Sequence, residues 1–225
     1  MTMWRIFHLF LAAIAASIVA AGCGDDGDNA DREATPFEPQ ATLTAIGGTE
    51  RTAKPEIVLR VEARPGDANI RSAKLTLPAA FIVDSEALSR LCSERELEVK
   101  RCAGRQPMGS ARVVSPAYSK PLSGPVYAVT GSGGLPRLAF VLRGPVELLL
   151  RGRIAVQGVR LQASVEDVPN TPLESFELRL SGGPNGYLVL SRDVCGAPVS
   201  GDVSFVSQEG ETLDRRLPLQ ADCGS

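Results

Sequence analysis

A two-residue alternation of apolar and polar side chains is the feature that most constrains how this chain of 225 residues can fold. It recurs in three segments whose apolar positions are Ile57, Leu59 and Val61; Val159, Leu161, Ala163 and Val165; and Phe176, Leu178 and Leu180. Successive side chains of a strand point to opposite faces, so this period is typical of strands with one buried face and one wet face. The alternation predicts antiparallel sheets.

Glycine and proline clusters separate these strands at short intervals. The predicted turns are residues 64–67, 123–125, 144–145, 169–170 and 182–186. Many short strands with such punctuation are typical of sandwiches and barrels, and we expect an all-β, antiparallel β-sandwich-like domain over residues 40–225. Whether it divides into two β subdomains near Gly131 is left open.

One helical insertion is predicted between Asp84 and Arg101. Ser93 is followed three residues later by Glu96, which is the spacing of a capping box at a helix start. Cys92 and Cys102 bracket this part, so we expect a short helix stapled over an edge or an end of the sandwich.

The N-terminus has the layout of an export signal. Arg5 precedes an apolar run over residues 9–21, too short for a membrane span, and small residues follow it. Residues 19–23, with the sequence VAAGC, resemble a bacterial lipoprotein signal, in which the cysteine is acylated and becomes the new N-terminus. The resemblance implies a signal peptide over residues 1–22 and a lipid (palmitate-type) anchor on Cys23. It also implies that the protein is located on the outer face of the cell membrane. Ordinary signal cleavage near the same place is the alternative.

An acidic segment follows the anchor. Residues 24–39 contain six acidic residues, one arginine and a single large apolar residue, Phe37. Such a composition cannot bury enough apolar surface to fold. We expect residues 23–39 to form a disordered tether.

Four cysteines remain once Cys23 is assigned to the lipid: Cys92, Cys102, Cys195 and Cys223. An exported chain favours disulfides, and neither neighbouring pair has the C-x-x-C spacing of a zinc or redox motif. Spacing favours Cys92 with Cys102 and Cys195 with Cys223, although four cysteines allow three pairings. We expect structural disulfides and no metal or other cofactor.

Composition excludes several kinds of catalysis. The only histidine, His8, lies in the signal, so histidine-dependent nucleophilic catalysis and histidine-ligated zinc are excluded from the mature chain. None of the lysines follows a serine by three residues, and G-x-S-x-G is absent. A non-catalytic protein is the expectation, and a hydrolase that uses carboxylates alone is the alternative.

A group of arginines is the one candidate binding feature. Over residues 137–166 five arginines face only two acidic residues, and we single out Arg143, Arg151, Arg153 and Arg160 as a possible anion-binding face. The alternative is that these are outer-face cations that discourage edge-to-edge aggregation. Nucleic acid is not an expected partner, because the chain is exported and poor in aromatic residues.

A second resemblance covers most of residues 74–223. Its motifs are KLTLPAAF, MGSARVVSP, PLSGPVYAV, LPRLAFVLRGPVELLLRG and SVEDVPNTPLESFELRLSGGPNGYLV, together with the two cysteine pairs. They resemble an uncharacterised β-rich segment of secreted and cell-surface proteins of actinobacteria. The resemblance implies a β fold and a surface location. The sequence therefore predicts a lipid-anchored binding or structural module of the bacterial envelope, which contacts an anionic wall polymer or another surface protein.

Replacing Cys23 by serine tests the anchor. We expect Cys23→Ser to move the protein from the detergent phase to the aqueous phase in detergent partitioning, because two or more acyl chains are needed for stable anchoring and serine carries none. The released protein should keep its β-sheet circular dichroism spectrum. A variant that stays in the detergent phase would contradict the assignment.

Overall fold

The structure is a computed structural model and describes residues 35–99, 102, 105–131 and 134–224. The predicted signal, Cys23 and most of the predicted tether lie outside these residues. Within them the protein is all-β, and eleven strands form one closed barrel. The strands, in ring order, are β1 (Gln40–Ile46), β13 (Thr212–Ala221), β12 (Ser200–Ser207), β3 (Ile70–Thr76), β9 (Arg160–Val165), β8 (Glu147–Gln157), β7 (Arg137–Arg143), β6 (Leu122–Val129), β5 (Gly109–Val114), β10 (Ser175–Leu180) and β2 (Glu56–Glu62).

A parallel pair between the first and the last strand closes this barrel. Leu43 of β1 lies opposite Leu219 of β13, while the other ladders of the barrel are antiparallel. The predicted sandwich is therefore wrong. Alternation indicates that each strand has one buried face, and this holds for a sandwich as well as for a barrel. It does not indicate which strands pair with each other.

The alternating segments point their apolar residues into the barrel. Leu59 lies opposite both Leu43 and Leu178, and all three are buried. Val159 is an exception, because it lies in the β8–β9 turn and is 77% exposed. The predicted turn at Ser123–Pro125 is also wrong, since these residues lie inside β6. Gly124 permits this, because a Cβ there would overlap the carbonyl oxygen of Val141 on the neighbouring strand.

The two ends of the barrel are closed differently. One end, named here the plugged end, is crossed by the described part of residues 77–108 and by residues 181–199. These segments contribute β4 (Phe81–Val83) and β11 (Leu188–Leu190). These two strands pair with each other, and the side chains of Phe81 and Leu190 are almost wholly buried in the core. The other end, named the mouth end, carries residues 35–39, 63–69, 115–121, 144–146, 166–174 and 208–211.

The predicted helical insertion consists of two short pieces rather than one helix. A 3-10 helix spans Glu86–Arg90 and α1 spans Glu94–Glu98. Between them Cys92 forms a parallel bridge to Val129 at the edge of β6, which interrupts the helix. The capping box is present, since the Ser93 Oγ accepts from the Glu96 N–H at 3.1 Å and the Ser93 N–H donates to Glu96 Oε2 at 2.8 Å.

This insertion covers the outer face of β6 and β7. Leu97 packs with Tyr127, Val129 and Ala139 in a small cluster separate from the barrel interior. The disulfide Cys92–Cys102 lies in the same cluster, with its Cα atoms 5.8 Å apart. The second disulfide joins Cys195, in the β11–β12 connection, to Cys223 just after β13, with a Cα separation of 5.6 Å. Both pairs are consistent with the pairing that the spacing favours.

The C-terminal part of the predicted tether is ordered. Phe37 is only 3% exposed and belongs to the main core, and the carbonyl oxygen of Pro36 accepts a hydrogen bond from the Ala68 N–H at 2.7 Å. Burial of one aromatic ring stabilises by about 2–3 kcal/mol, enough to hold so short a segment. The prediction of disorder up to residue 39 is therefore wrong for residues 36–39.

Strands on both sides of Gly131 belong to the one barrel, because β6 and β7 pair directly across that loop.

In the part of the chain that the structure describes, no helix is long and apolar enough to cross a membrane.

The two disulfides should differ in what they stabilise. Replacing Cys195 and Cys223 together by alanine should lower the free energy of unfolding by about 3.5 kcal/mol, and the pair Cys92 and Cys102 by about 3 kcal/mol, because the loops closed differ in length. Urea denaturation measures both values. In hydrogen exchange, we expect faster exchange in β1 and β13 for the first variant and only around Val129 for the second. The reverse pattern would contradict this assignment.

Candidate functional site

Inward side chains at the mouth end are incompletely covered. Leu148, Leu150, Val165 and Phe176 point into the barrel but are only half-buried, whereas Leu138 farther along the barrel is buried. Eleven strands enclose a wider interior than eight, and eight are already enough to hold one small ligand. The interior is therefore filled at the plugged end and left open near the mouth.

An apolar cavity of about 130 Å³ occupies this space. Its wall includes inward residues of nine barrel strands and the residues that follow β5. Representative lining residues are Val61, Ala73, Phe140, Leu148, Leu150 and Phe176. The rings of Phe140 and Phe176 lie 6.4 Å apart and are tilted by 58°, which is the spacing of an ordinary packed aromatic pair. Its few polar contributions come from Ser115, Tyr118 and Thr171.

Residues 166–174, named here the strap, cross the mouth above this cavity. They connect β9 to β10, and these strands lie on opposite sides of the ring, with four strands between them one way and five the other. Five strap residues line the cavity: Val168, Pro169, Thr171, Pro172 and Leu173. The strap therefore forms the roof of the cavity.

Backbone hydrogen bonds fix the strap on both sides of the mouth. The Val168 N–H donates to the carbonyl oxygen of Arg71 on β3 at 2.9 Å, and Gln208 Nε2 donates to the carbonyl oxygen of Val168 at 3.0 Å. On the far side the Glu174 N–H donates to the carbonyl oxygen of Val114 at 2.9 Å. Between these anchors the prolines at 169 and 172 have no N–H to donate. The central strap is held by a side-chain hydrogen bond, in which Asn69 Nδ2 donates to Asn170 Oδ1 at 2.7 Å, and by apolar contact.

Such a cavity suits a small apolar group. A dry protein cavity of about 150 Å³ lined by aliphatic and aromatic residues binds benzene, so the present space matches a group of about six carbon atoms. The lining residues include no acidic and no basic side chain. The arrangement can bind and shield an apolar group.

The arginines singled out from the sequence are paired with carboxylates. Arg143 lies 3.7 Å from Glu147, Arg153 lies 3.1 Å from Glu166, and Arg151 lies 3.6 Å from Glu94 on α1. The strand register also brings Arg137 opposite Arg153, and Arg137 lies 3.9 Å from the same Glu94. The structure thus gathers three arginines on the outer face of β7 and β8, with acidic side chains beside them.

Arg160 has a different role from the other three. Its guanidinium donates to Asp202 Oδ2 at 2.6 Å and to the carbonyl oxygen of Leu77 at 3.0 Å, with longer bonds to the carbonyl oxygens of Thr76 and Ser200. These acceptors lie on or next to β3 and β12. Arg160 therefore links three neighbouring strands, β9, β3 and β12. These contacts give it a structural role in holding the strands together, in place of the predicted role in anion binding.

Three carboxyl groups have a lowered pKa, each because cationic or N–H donors stabilise the charged form. The pKa of Glu96 falls to about 2, first through the Ser93 N–H and then through Arg105. The pKa of Asp84 is lowered chiefly by its hydrogen bond from Lys54, and that of Glu177 chiefly by Arg179. None of the three lines the cavity, and each stays ionised near neutral pH.

Sequence reasoning missed the cavity and the strap. Within this segment the sequence predicted only the turn at residues 169–170. A signal was present, because Val168 and Leu173 are apolar residues inside a proline-bearing connection that should otherwise be polar. Apolar side chains in an exposed connection indicate that it covers something apolar.

Comparisons with known proteins give no family assignment. No family model matches the chain, and none of the curated proteins matches it. Among solved structures, it is similar to a DUF4466 family protein from Parabacteroides merdae, with a TM-score of 0.35 and 8% sequence identity. The match covers 81% of this chain and 43% of the length of that one. Among the described residues, no group of His, Cys, Asp and Glu is arranged to hold a metal ion.

Arg160→Leu should destabilise the barrel by about 2–3 kcal/mol, because charge-assisted hydrogen bonds are lost and carbonyl acceptors are left without a donor. Arg153→Leu is the matched control, since Arg153 is 72% exposed in its ion pair and such pairs contribute about 0–1 kcal/mol. Urea denaturation of both variants gives the comparison. Equal destabilisation would remove the structural role of Arg160.

Proposed function

We propose that this protein is a non-catalytic, lipid-anchored binding module on the outer face of a bacterial cell membrane, and that it binds an apolar ligand inside the mouth end of its barrel. The observation that carries the proposal is the apolar cavity under the strap. Pockets for small molecules are concave and mostly apolar, as this one is.

The position of the chain's entry into the barrel supports a link between anchoring and binding. Residues 36–39 reach β1 at the mouth end, where Phe37 is buried. A lipid on Cys23 would therefore attach the domain to the membrane by the same end that holds the cavity. Export and the anchor themselves rest on the resemblance of residues 19–23 to a lipoprotein signal.

The character of the carboxyl groups supports a binding role over the alternative of a carboxylate-dependent hydrolase. A glycosidase needs two carboxyl groups at the site, one of them with a raised pKa so that it can act as general acid. The cavity is lined by no acidic side chain, and the shifted carboxyl groups shift downward.

An anionic wall polymer is less well supported as the partner. Arg143, Arg151 and Arg153 each lie beside a carboxylate, and Arg160 donates to acceptors of the barrel itself. A polymer would have to displace these contacts. The proposal therefore names the apolar ligand as the partner.

Benzene is a direct probe of the cavity. Full burial of six carbon atoms contributes about 5 kcal/mol at about 0.8 kcal/mol each, so we expect a Kd on the order of 1 mM or tighter. Amide chemical shifts recorded during a titration should move around Phe140, Leu150 and Phe176. Shifts scattered over the outer surface, or none at all, would refute the pocket.

Ala73→Leu tests the location of binding. Ala73 points inward from β3 and lines the cavity, so three extra carbon atoms there should weaken benzene binding at least about tenfold by occupying the space. Ala155→Leu makes the same chemical change at an exposed position of β8 and should leave the Kd unchanged. Equal Kd values for the two variants would place the binding elsewhere.

A further inference from the structure

The connections around the mouth are strongly acidic. The six segments of the mouth end contain seven acidic residues and two basic ones. The acidic residues are Glu38, Asp67, Glu166, Asp167, Glu174, Glu209 and Glu211. The basic residues are Arg64, which is paired with Glu38 and Asp67, and Lys120. Strand residues next to these segments add Glu62 and Glu147 but also Arg71 and Arg143, so the excess of negative charge remains.

The strap carries part of this charge directly beside the cavity. Asp167 precedes the lining residue Val168, and Glu174 follows the lining residue Leu173. Both are exposed, and among the described residues neither makes an ion pair. Glu166 differs, since it is paired with Arg153. These two carboxylates mark the two ends of the roof, and the space below them is apolar. Asp167 also borders an outer groove lined by Arg137, Arg151 and Arg153.

Together these features select the ligand by charge. We infer that the cavity takes small amphiphilic cations, with an apolar tail of about six carbon atoms below the strap and a positively charged head at the mouth beside Asp167 and Glu174. This inference rests on the proposed function and names the ligand class of that site. Attraction between unlike charges at the surface favours such a head, and the same carboxylates repel an anionic one.

An anionic amphiphile, such as a fatty acid or an acidic lipid, is the competing ligand class. It would fill the same space with its tail, but its head would lie among carboxylates. Lys120 is the one cation of the connecting segments without an ion pair, and Arg71 at the start of β3 is the other such cation beside the strap. The charge of the mouth therefore separates the two classes where the apolar wall does not.

Three ligands with one tail separate tail binding from head selection: hexylammonium, hexanol and hexanoate. The exported chain carrying Cys23→Ser is titrated with each at pH 7 and low salt, and Kd values are taken from amide chemical shifts. We expect hexylammonium to bind about tenfold or more tightly than hexanoate, with hexanol between them. At about 1 M salt the Debye length falls to about 3 Å, so this ratio should approach one.

Two pairs of substitutions test which carboxylates cause the preference for a cationic head. Asp167→Asn combined with Glu174→Gln should reduce the hexylammonium preference to within about threefold while hexanol binding stays unchanged. Asparagine suits position 167 because that residue has a φ of 55°. The control pair Glu50→Gln and Glu86→Gln removes the same charge from connections at the plugged end, since Glu50 lies between β1 and β2 and Glu86 lies in the insertion, and it should keep the full preference.

Each outcome bears on one of the two proposals. Binding of hexanol together with hexanoate as tight as hexylammonium would overturn the cation inference and leave the apolar pocket in place. Absence of binding by all three ligands would overturn the pocket and the inference with it. A preference that survives in the strap variant would show that Asp167 and Glu174 are not its source.

Discussion

The parallel ladder between β1 and β13 is the contact on which the rest of the barrel depends. It joins the first and the last strand of the barrel, since β1 begins at Gln40 and β13 ends at Ala221. Without this ladder both strands would have an unpaired edge, and the sheet would stay open instead of closing into a barrel. The Cys195–Cys223 disulfide fixes the end of β13 next to this ladder, and the burial of Phe37 fixes the start of β1.

Because the sheet is closed into a barrel, the connections between its strands cover the two ends. Chain segments that lead to the opposite side must cross an end. Two such crossings meet at the plugged end, where β4 and β11 pair and bury Phe81 and Leu190. At the mouth end the crossings are shorter: the strap, and residues 63–69 between β2 and β3. The cavity follows from this difference, because the strap has too few apolar residues to fill what it covers.

Local patterns in the sequence predicted local structure well. The alternation in β2 and β10 gave the inward residues, and Ser93 with Glu96 gave the start of α1. The strand order was beyond reach, because pairings such as Leu43 with Leu219 depend on contacts far apart in the chain. Gly124 was misread as a turn for a related reason, since the close approach of β7 that requires glycine is not visible in a single strand. The cavity was missed because it depends on which connections cross each end of the barrel. The arginines were recognised as charged residues, but their carboxylate partners could not be predicted from the sequence.

The same ladder has a consequence for how the chain reaches its native state. During synthesis β1 is the first barrel strand to be made, and its partner β13 is the last. Until then the N-terminal strand has one unsatisfied edge, and contacts of such long sequence separation form slowly. The ring therefore cannot be completed before β13 has been made, and a chain without residues 212–221 would keep most of its strands but expose unpaired edges on β1 and β12.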